Sequence, residues 1–176
     1  MAEALLRNVM RNARLALQKP ADYDVRAEIM WAGTLSHNDI TGDRSQGDWA
    51  SHQLEHELGG MFDIAHGAGL AAIWGSWARY VLKQNPCRFA QLAVNVLNVP
   101  YSFGNDEKTA LEGIAAMEDF FRSIGMPTSI SDMEIELTDT QIKELAHKCS
   151  FMGRRTIGGF VTLNSADMEN IYRMAR

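Results

Sequence analysis

Apolar residues return at intervals of three and four along almost the whole of this chain. That period suits helices and leaves little room for strands. Leu5, Leu6, Val9, Met10, Ala13, Ala16 and Leu17 form one such stripe, which stops before Pro20, whose ring blocks further helix. The spacing predicts a second helix from about Asp22 to Leu35, with Val25, Ile29, Met30 and Ala32 available for burial. A polar, glycine-bearing loop, Thr41 to Gly47, follows. A third helix is expected over about 48–58, with Gly59-Gly60 ending it. The fourth starts near His66-Gly67 and runs to Leu82. It is apolar nearly all round (Leu70, Ala71, Ala72, Ile73, Trp74, Trp77), as a central, buried helix would be.

Residues 88–99 also read as helix, although their valines leave a strand open. Residues 106–124 read as a strong helix, with Leu111, Ile114, Met117, Phe120 and Phe121 inward and Gly125 and Pro127 as stop signals. Thr138-x-x-Gln141 has the form of a capping box. Residues 152–163 are glycine-bearing and irregular, and Asn164 or Ser165 caps a last helix. Seven or eight helices without a strand pair make an all-α multi-helix bundle, expected as a single domain over 1–176.

Charge and cysteine content remove several classes of function. Seventeen Lys and Arg against 22 Asp and Glu give a net charge of −5, the wrong sign for a nucleic-acid partner. No run approaches the roughly 18 apolar residues of a membrane span, and Met1-Ala2-Glu3-Ala4 lacks the form of a signal peptide. Cys87 and Cys149 stand apart with no C-x-x-C spacing, which fits two reduced thiols in a cytoplasmic protein. No Walker loop is present, nor any G-x-G-x-x-G after a strand, so no residue is assigned to cofactor binding. Gly67-x-Gly69 is a fragment of such a loop that would let a helix start approach something closely.

Chemistry concentrates in one window. Three of the five histidines, His52, His56 and His66, fall within fifteen residues, with carboxylates between them. His52 and His56 are one helical turn apart, and His66 opens the next apolar run. Imidazole is the commonest metal ligand, so this grouping is a candidate metal site. A lone helical histidine is more often a surface or core residue, the reading given to His37 and His147. His52-Gln53-Leu54-Glu55-His56 also matches H-x-x-E-H, the inverted zinc-peptidase motif. That pattern fixes only three positions and leaves His66 unexplained.

The run Asp48-Trp49-Ala50-Ser51-His52-Gln53-Leu54-Glu55-His56-Glu57-Leu58, then Asp63-Ile64-Ala65-His66-Gly67-Ala68-Gly69-Leu70-Ala71, resembles the signature of iron-containing alcohol dehydrogenases, above all their butanol dehydrogenase-like subgroup. Asp22-Tyr23-Asp24-Val25-Arg26-Ala27, Met30-Trp31-Ala32-Gly33-Thr34-Leu35, Leu111-Glu112-Gly113-Ile114 and Gly125-Met126-Pro127-Thr128 are similar to other segments of that subgroup. One departure is Trp74-Gly75-Ser76-Trp77, where relatives often carry Pro-Ala-Trp.

The resemblance implies a fold like the helical C-terminal domain of the dehydroquinate synthase-like superfamily. It implies a partner, an N-terminal α/β domain of the same enzyme, absent from this chain, that binds NAD(P). It implies a metal, Fe²⁺ or Zn²⁺, held by an Asp and three His, of which His52 and His66 are two and the others lie outside this chain. His56 matches an additional histidine near the metal and the nicotinamide, to which a proton-relaying catalytic role is given. Glu55 and Asp63 could orient ring nitrogens, Asp63 alternatively capping the helix after it. Trp49 lines a substrate pocket or joins the core. The implied reaction interconverts small alcohols and aldehydes by hydride transfer, with the chain inactive in isolation and a homodimer as a further expected assembly. The competing reading is a stand-alone helical binding or assembly module that kept the fold without catalysis.

Overall fold

Local chemistry decides where several of the helices start. In a computed structural model, which describes residues 1–38, 40–42 and 47–176, the Asp22 carboxylate accepts the Val25 N–H and the Asn105 side chain accepts the Lys108 N–H. Thr138 with Gln141, and Asn164 with Asp167, each close a reciprocal capping box. Each cap satisfies backbone donors that the helix itself cannot, a contribution of about 1 kcal/mol.

The resulting helices are α1 (Ala2–Gln18), α2 (Tyr23–His37), α3 (Ala50–Phe62), α4 (His66–Val81), α5 (Pro86–Leu97), α6 (Asp106–Ser123), α7 (Asp139–Cys149) and α8 (Ser165–Ala175). Short 3-10 turns cover Leu82–Gln84 and Ser131–Met133. Among the described residues there is no strand. Residues 152–163 contribute one isolated bridge, Ile157 to Leu163, so the fold is all-α as expected. Residues 43–46 of the expected polar loop lie outside the described residues.

The chain forms two compact units, residues 1–47 with 87–124, and residues 48–86 with 125–176. In the first, the Glu3 carboxylate of α1 accepts from Gln91 and Asn95 of α5 at 2.6 and 2.9 Å; the Asn95 and Gln91 bonds hold its carboxyl below the usual range. Asn8 of α1 donates to Glu28 of α2 at 2.8 Å. Gly113 lets α6 lie against α5, since a Cβ there would fall 2.4 Å from that of Ala93.

The second unit carries the histidine window. Its centre is α4, with Gly69, Ala71, Ala72, Ile73, Gly75, Ser76, Ala78 and Val81 buried. Tyr80 of α4 donates to Asp167 of α8 at 2.7 Å. Tyr172 of α8 is fully buried and donates to the Leu54 carbonyl of α3 at 2.7 Å. Cys149 of α7 donates its S–H to the Gln53 carbonyl of α3 at 3.4 Å. At the start of α3, Asp48 accepts from Ala50 N–H at 2.7 Å with one oxygen and from Phe160 N–H at 2.8 Å with the other. Thus α3 is pinned at its start and along its buried face by α7, α8 and the irregular segment.

Three expectations fail. Gly59-Gly60 does not end α3; the helix runs through both to Phe62 and stops at Asp63, which takes the left-handed conformation at φ 52°. Two glycines cost roughly 2 kcal/mol of helix propensity against alanine, and tertiary packing overrides it. Met30 is exposed, because Val25 and Ala32, two turns apart, set the buried face of α2 and Met30 lies well round from both. Leu111 is exposed for the same reason, turned away from the face set by Ala110, Ile114 and Met117.

The two thiols differ in a way that alkylation reads directly. Cys87 is exposed and Cys149 buried, and burial pushes the Cys149 thiol up to about 11. Since the thiolate is the nucleophile, an alkylating reagent at pH 8 is expected to label Cys87 alone in the folded chain, as intact mass shows. Labelling of both before denaturant is added would contradict the packing of α7 against α3.

Candidate metal centre

Two helices and the sharp turn between them bring the three histidines together. His52 and His56 project from α3, and His66 is the first residue of α4. Between them, Asp63 turns the chain in the left-handed region, which Asp tolerates better than most residues. Ala65 then enters α4 in extended conformation. The His66 ring sits close to both others, with centroids 5.4 Å from His52 and 5.5 Å from His56, while the His52 and His56 centroids are 6.3 Å apart. The one-turn pair is therefore the widest of the three, and the histidine that opens α4 closes the group.

Beneath the rings lies Glu55. It is only 2% exposed, and its carboxylate is hydrogen-bonded to Nδ1 of His66, whose side chain is 52% exposed. The room for this carboxylate comes from glycine. A Cβ on Gly69 would lie 2.7 Å from both Cγ and Oε1 of Glu55, and one on Gly59 would lie 3.0 Å from Oε1. Gly69 therefore provides the close approach expected of the Gly67-x-Gly69 pair, whereas a Cβ on Gly67 would meet nothing within 4 Å. The same glycines explain why α3 passes through Gly59: it is a clearance position, not a terminus.

Asp63 does not cap α4. Its place is the end of α3, where its N–H bonds to the Gly59 carbonyl at 2.9 Å, and the residue before His66 is Ala65, with no side-chain cap. Trp49 is not a core residue; it is 58% exposed, with its ring 4.9 Å from that of His52 in an edge-on arrangement. His37 and His147 are exposed in the last turns of α2 and α7, the surface positions expected of them. The buried Glu55, committed to His66, is not presented to an attacking water as the H-x-x-E-H peptidase reading requires.

One ligand atom each from Glu55, His56 and His66 lies within 4.8 Å of the others, and His52 stands beside them. Imidazole nitrogens backed by a carboxylate are donors suited to Fe²⁺ or Zn²⁺. The residues present thus fit a divalent transition-metal ion. Of the two carboxylates expected to orient a ring nitrogen, Glu55 meets one, at His66 Nδ1, while Asp63 sits at the end of α3.

Comparison with known proteins bears on what such a centre belongs to. The model of the Fe-containing alcohol dehydrogenase family, C-terminal domain, matches residues 1–176. The chain belongs to the iron-containing alcohol dehydrogenase family. It is 36% identical over 173 residues to the probable NADH-dependent butanol dehydrogenase 1 of Bacillus subtilis, covering 98% of this chain and 44% of that protein. A substrate- and cofactor-free structure of the aldehyde reductase YqhD from E. coli superposes with a TM-score of 0.89 at 31% identity, covering 99% of this chain and 45% of that one. The NADH-dependent butanol dehydrogenase A of Thermotoga maritima gives 0.89 at 29% identity, over 99% and 44%. This iron-containing alcohol dehydrogenase domain thus spans less than half the length of the relatives it matches. Among the described residues, no helix is long and apolar enough to cross a membrane.

Proposed function

We propose that this chain is the metal-holding helical domain of an NAD(P)-dependent alcohol dehydrogenase that interconverts small alcohols and aldehydes. The observation that carries the proposal is the closure of His66 of α4 onto His52 and His56 of α3. Family membership supplies the reaction class.

In this reading His52 and His66 each offer one imidazole nitrogen to Fe²⁺ or Zn²⁺, and the remaining ligands come from an N-terminal α/β domain that also binds NAD(P). A divalent ion there supplies Lewis-acid polarisation of the substrate oxygen, and NAD(P) supplies the hydride acceptor or donor. His56 is exposed on the same helix face as His52 and takes or gives the proton at the substrate hydroxyl. Trp49, exposed at the edge of the rings, shields that side of the substrate from water. No residue of this chain is assigned to NAD(P).

Two nitrogens hold an ion much less firmly than a complete ligand set. Calorimetry of the isolated chain is therefore expected to show Zn²⁺ or Fe²⁺ binding no tighter than micromolar, and nanomolar affinity would contradict the shared site. The isolated chain is likewise expected to give no butanol- or butanal-dependent change in NADH or NADPH. Fusion behind the part of the Bacillus subtilis relative that it does not cover is expected to give turnover that His52→Ala abolishes. Robust turnover by the isolated chain, or a fusion indifferent to His52→Ala, overturns the proposal.

A further inference from the structure

We infer that Glu55 is a positioning residue for His66: from its buried site it accepts the ring's Nδ1–H, fixes that tautomer, and leaves Nε2 as the nitrogen with the free lone pair. The consequence for metal binding rests on the ligand role proposed for His66; the tautomer itself does not.

Three observations carry this. A carboxylate at 2% exposure needs a hydrogen-bonding partner, and Glu55 has one in His66 Nδ1. The only ring nitrogen that meets this carboxylate is Nδ1, and a neutral imidazole that donates from Nδ1 keeps its lone pair on Nε2. The surroundings are built for this rotamer. The Gly69 Cα approaches so closely that any side chain would run into Glu55 Cγ and Oε1 and Ile64 Cδ1, and Gly59 clears the same oxygen from the other side. Glycine is a poor helix former, yet both positions lie inside helices. They make sense as clearance for one side chain.

Glu55, His56 and His66 could also be taken as a joint ligand set, since their donor atoms lie within 4.8 Å of one another. The bond to Nδ1 argues otherwise. Nε2 is on the far side of the imidazole ring from that carboxylate, so an ion held there would be out of its reach. Glu55 therefore acts through His66, the arrangement in which an outer carboxylate orients a ligand ring and raises its basicity.

The test is a nitrogen-15 spectrum of the histidine rings of the whole chain at alkaline pH, with and without added Zn²⁺. His66 is expected as Nδ1–H in the wild type. Both Glu55→Ala, which removes the acceptor, and Gly69→Ala, which displaces it, should lose that preference. An Nε2–H His66 in the wild type overturns the inference, as does an unchanged Nδ1–H His66 in Glu55→Ala. If Glu55→Ala does not fold, the wild type and Gly69→Ala still decide. With Zn²⁺ added, the Nδ1–H signal is expected to persist and slow its exchange while Nε2 shifts; loss of that proton would make Nδ1 or Glu55 the ligand and overturn the inference. An Nδ1–H ring that Zn²⁺ does not perturb would leave Glu55 as the positioning residue and count against His66 as a ligand. Glu55→Ala is expected to weaken the Zn²⁺ response by about 10-fold or more.

Discussion

Replacing Tyr172 with alanine is expected to destabilise the unit formed by residues 48–86 and 125–176 by about 3–5 kcal/mol, the range for emptying a fully buried aromatic site. Tyr172 is fully buried on α8, and its hydroxyl reaches the Leu54 carbonyl at 2.7 Å. It therefore fills volume and ties down α3 one residue before Glu55. Tyr172→Phe isolates the second role, because the ring stays and the hydroxyl goes; a cost of about 0.5–1.5 kcal/mol is expected for the one lost hydrogen bond, since the Leu54 carbonyl stays within α3. The alkaline limb adds a check of sign. Burial raises the Tyr172 phenol well above its ordinary value, while in the unfolded chain it ionises near pH 10. Its contribution is present below that pH and is lost above it, because only the unfolded state releases the proton. Urea unfolding followed by tryptophan fluorescence from pH 7 to 10.5 should show stability falling at the alkaline end, with a shallower fall in Tyr172→Phe. Equal stability of Tyr172→Ala and wild type would mean that α8 does not hold α3.

Gly158→Ala is expected to be nearly as damaging, at about 3 kcal/mol or more, although it adds a single methyl group. Gly158 has φ +92°, a conformation that L side chains rarely adopt, and a Cβ there would lie 2.2 Å from the Val161 carbonyl oxygen. Backbone strain of this kind costs roughly 1–3 kcal/mol, and forcing an atom into filled space costs about as much again. The same loop carries the Phe160 N–H to Asp48 and passes close to Ala50 at the start of α3. Disturbing it should loosen the entry to the histidine helix. Thermal unfolding checks this, and a Tm unchanged to within a degree would contradict the tight loop.

Features legible in the sequence are those written in local chemistry. The capping boxes at Thr138 and Asn164 need only residues three apart, and the apolar girdle of α4 announces a buried helix by composition alone. Features that were not legible depend on what packs against what. Gly59 looks like a terminator because its propensity is poor, yet it is needed inside α3 to clear a carboxylate from the same helix. Leu111 and Met30 look like core residues because they are apolar, and only the placement of neighbouring helices turns them outward. The grouping of His52, His56 and His66 was readable from spacing, but the burial of Glu55 beneath His66 was not. An acidic residue in H-x-x-E-H can face water or core with no change in sequence pattern.

The assignment of His52 and His66 as ligands, with His56 as the neighbour that moves a proton, carries the whole functional account. Its most direct test is the iron and zinc content of the chain fused behind the remaining part of the Bacillus subtilis relative, measured by plasma mass spectrometry for the parent fusion and three single variants. About one ion per chain is expected in the parent, as for a single catalytic site. His52→Ala and His66→Ala should lose the ion, and His56→Ala should keep it while turnover falls. Equal loss of metal in all three variants would contradict the division of roles between His56 and its two neighbours.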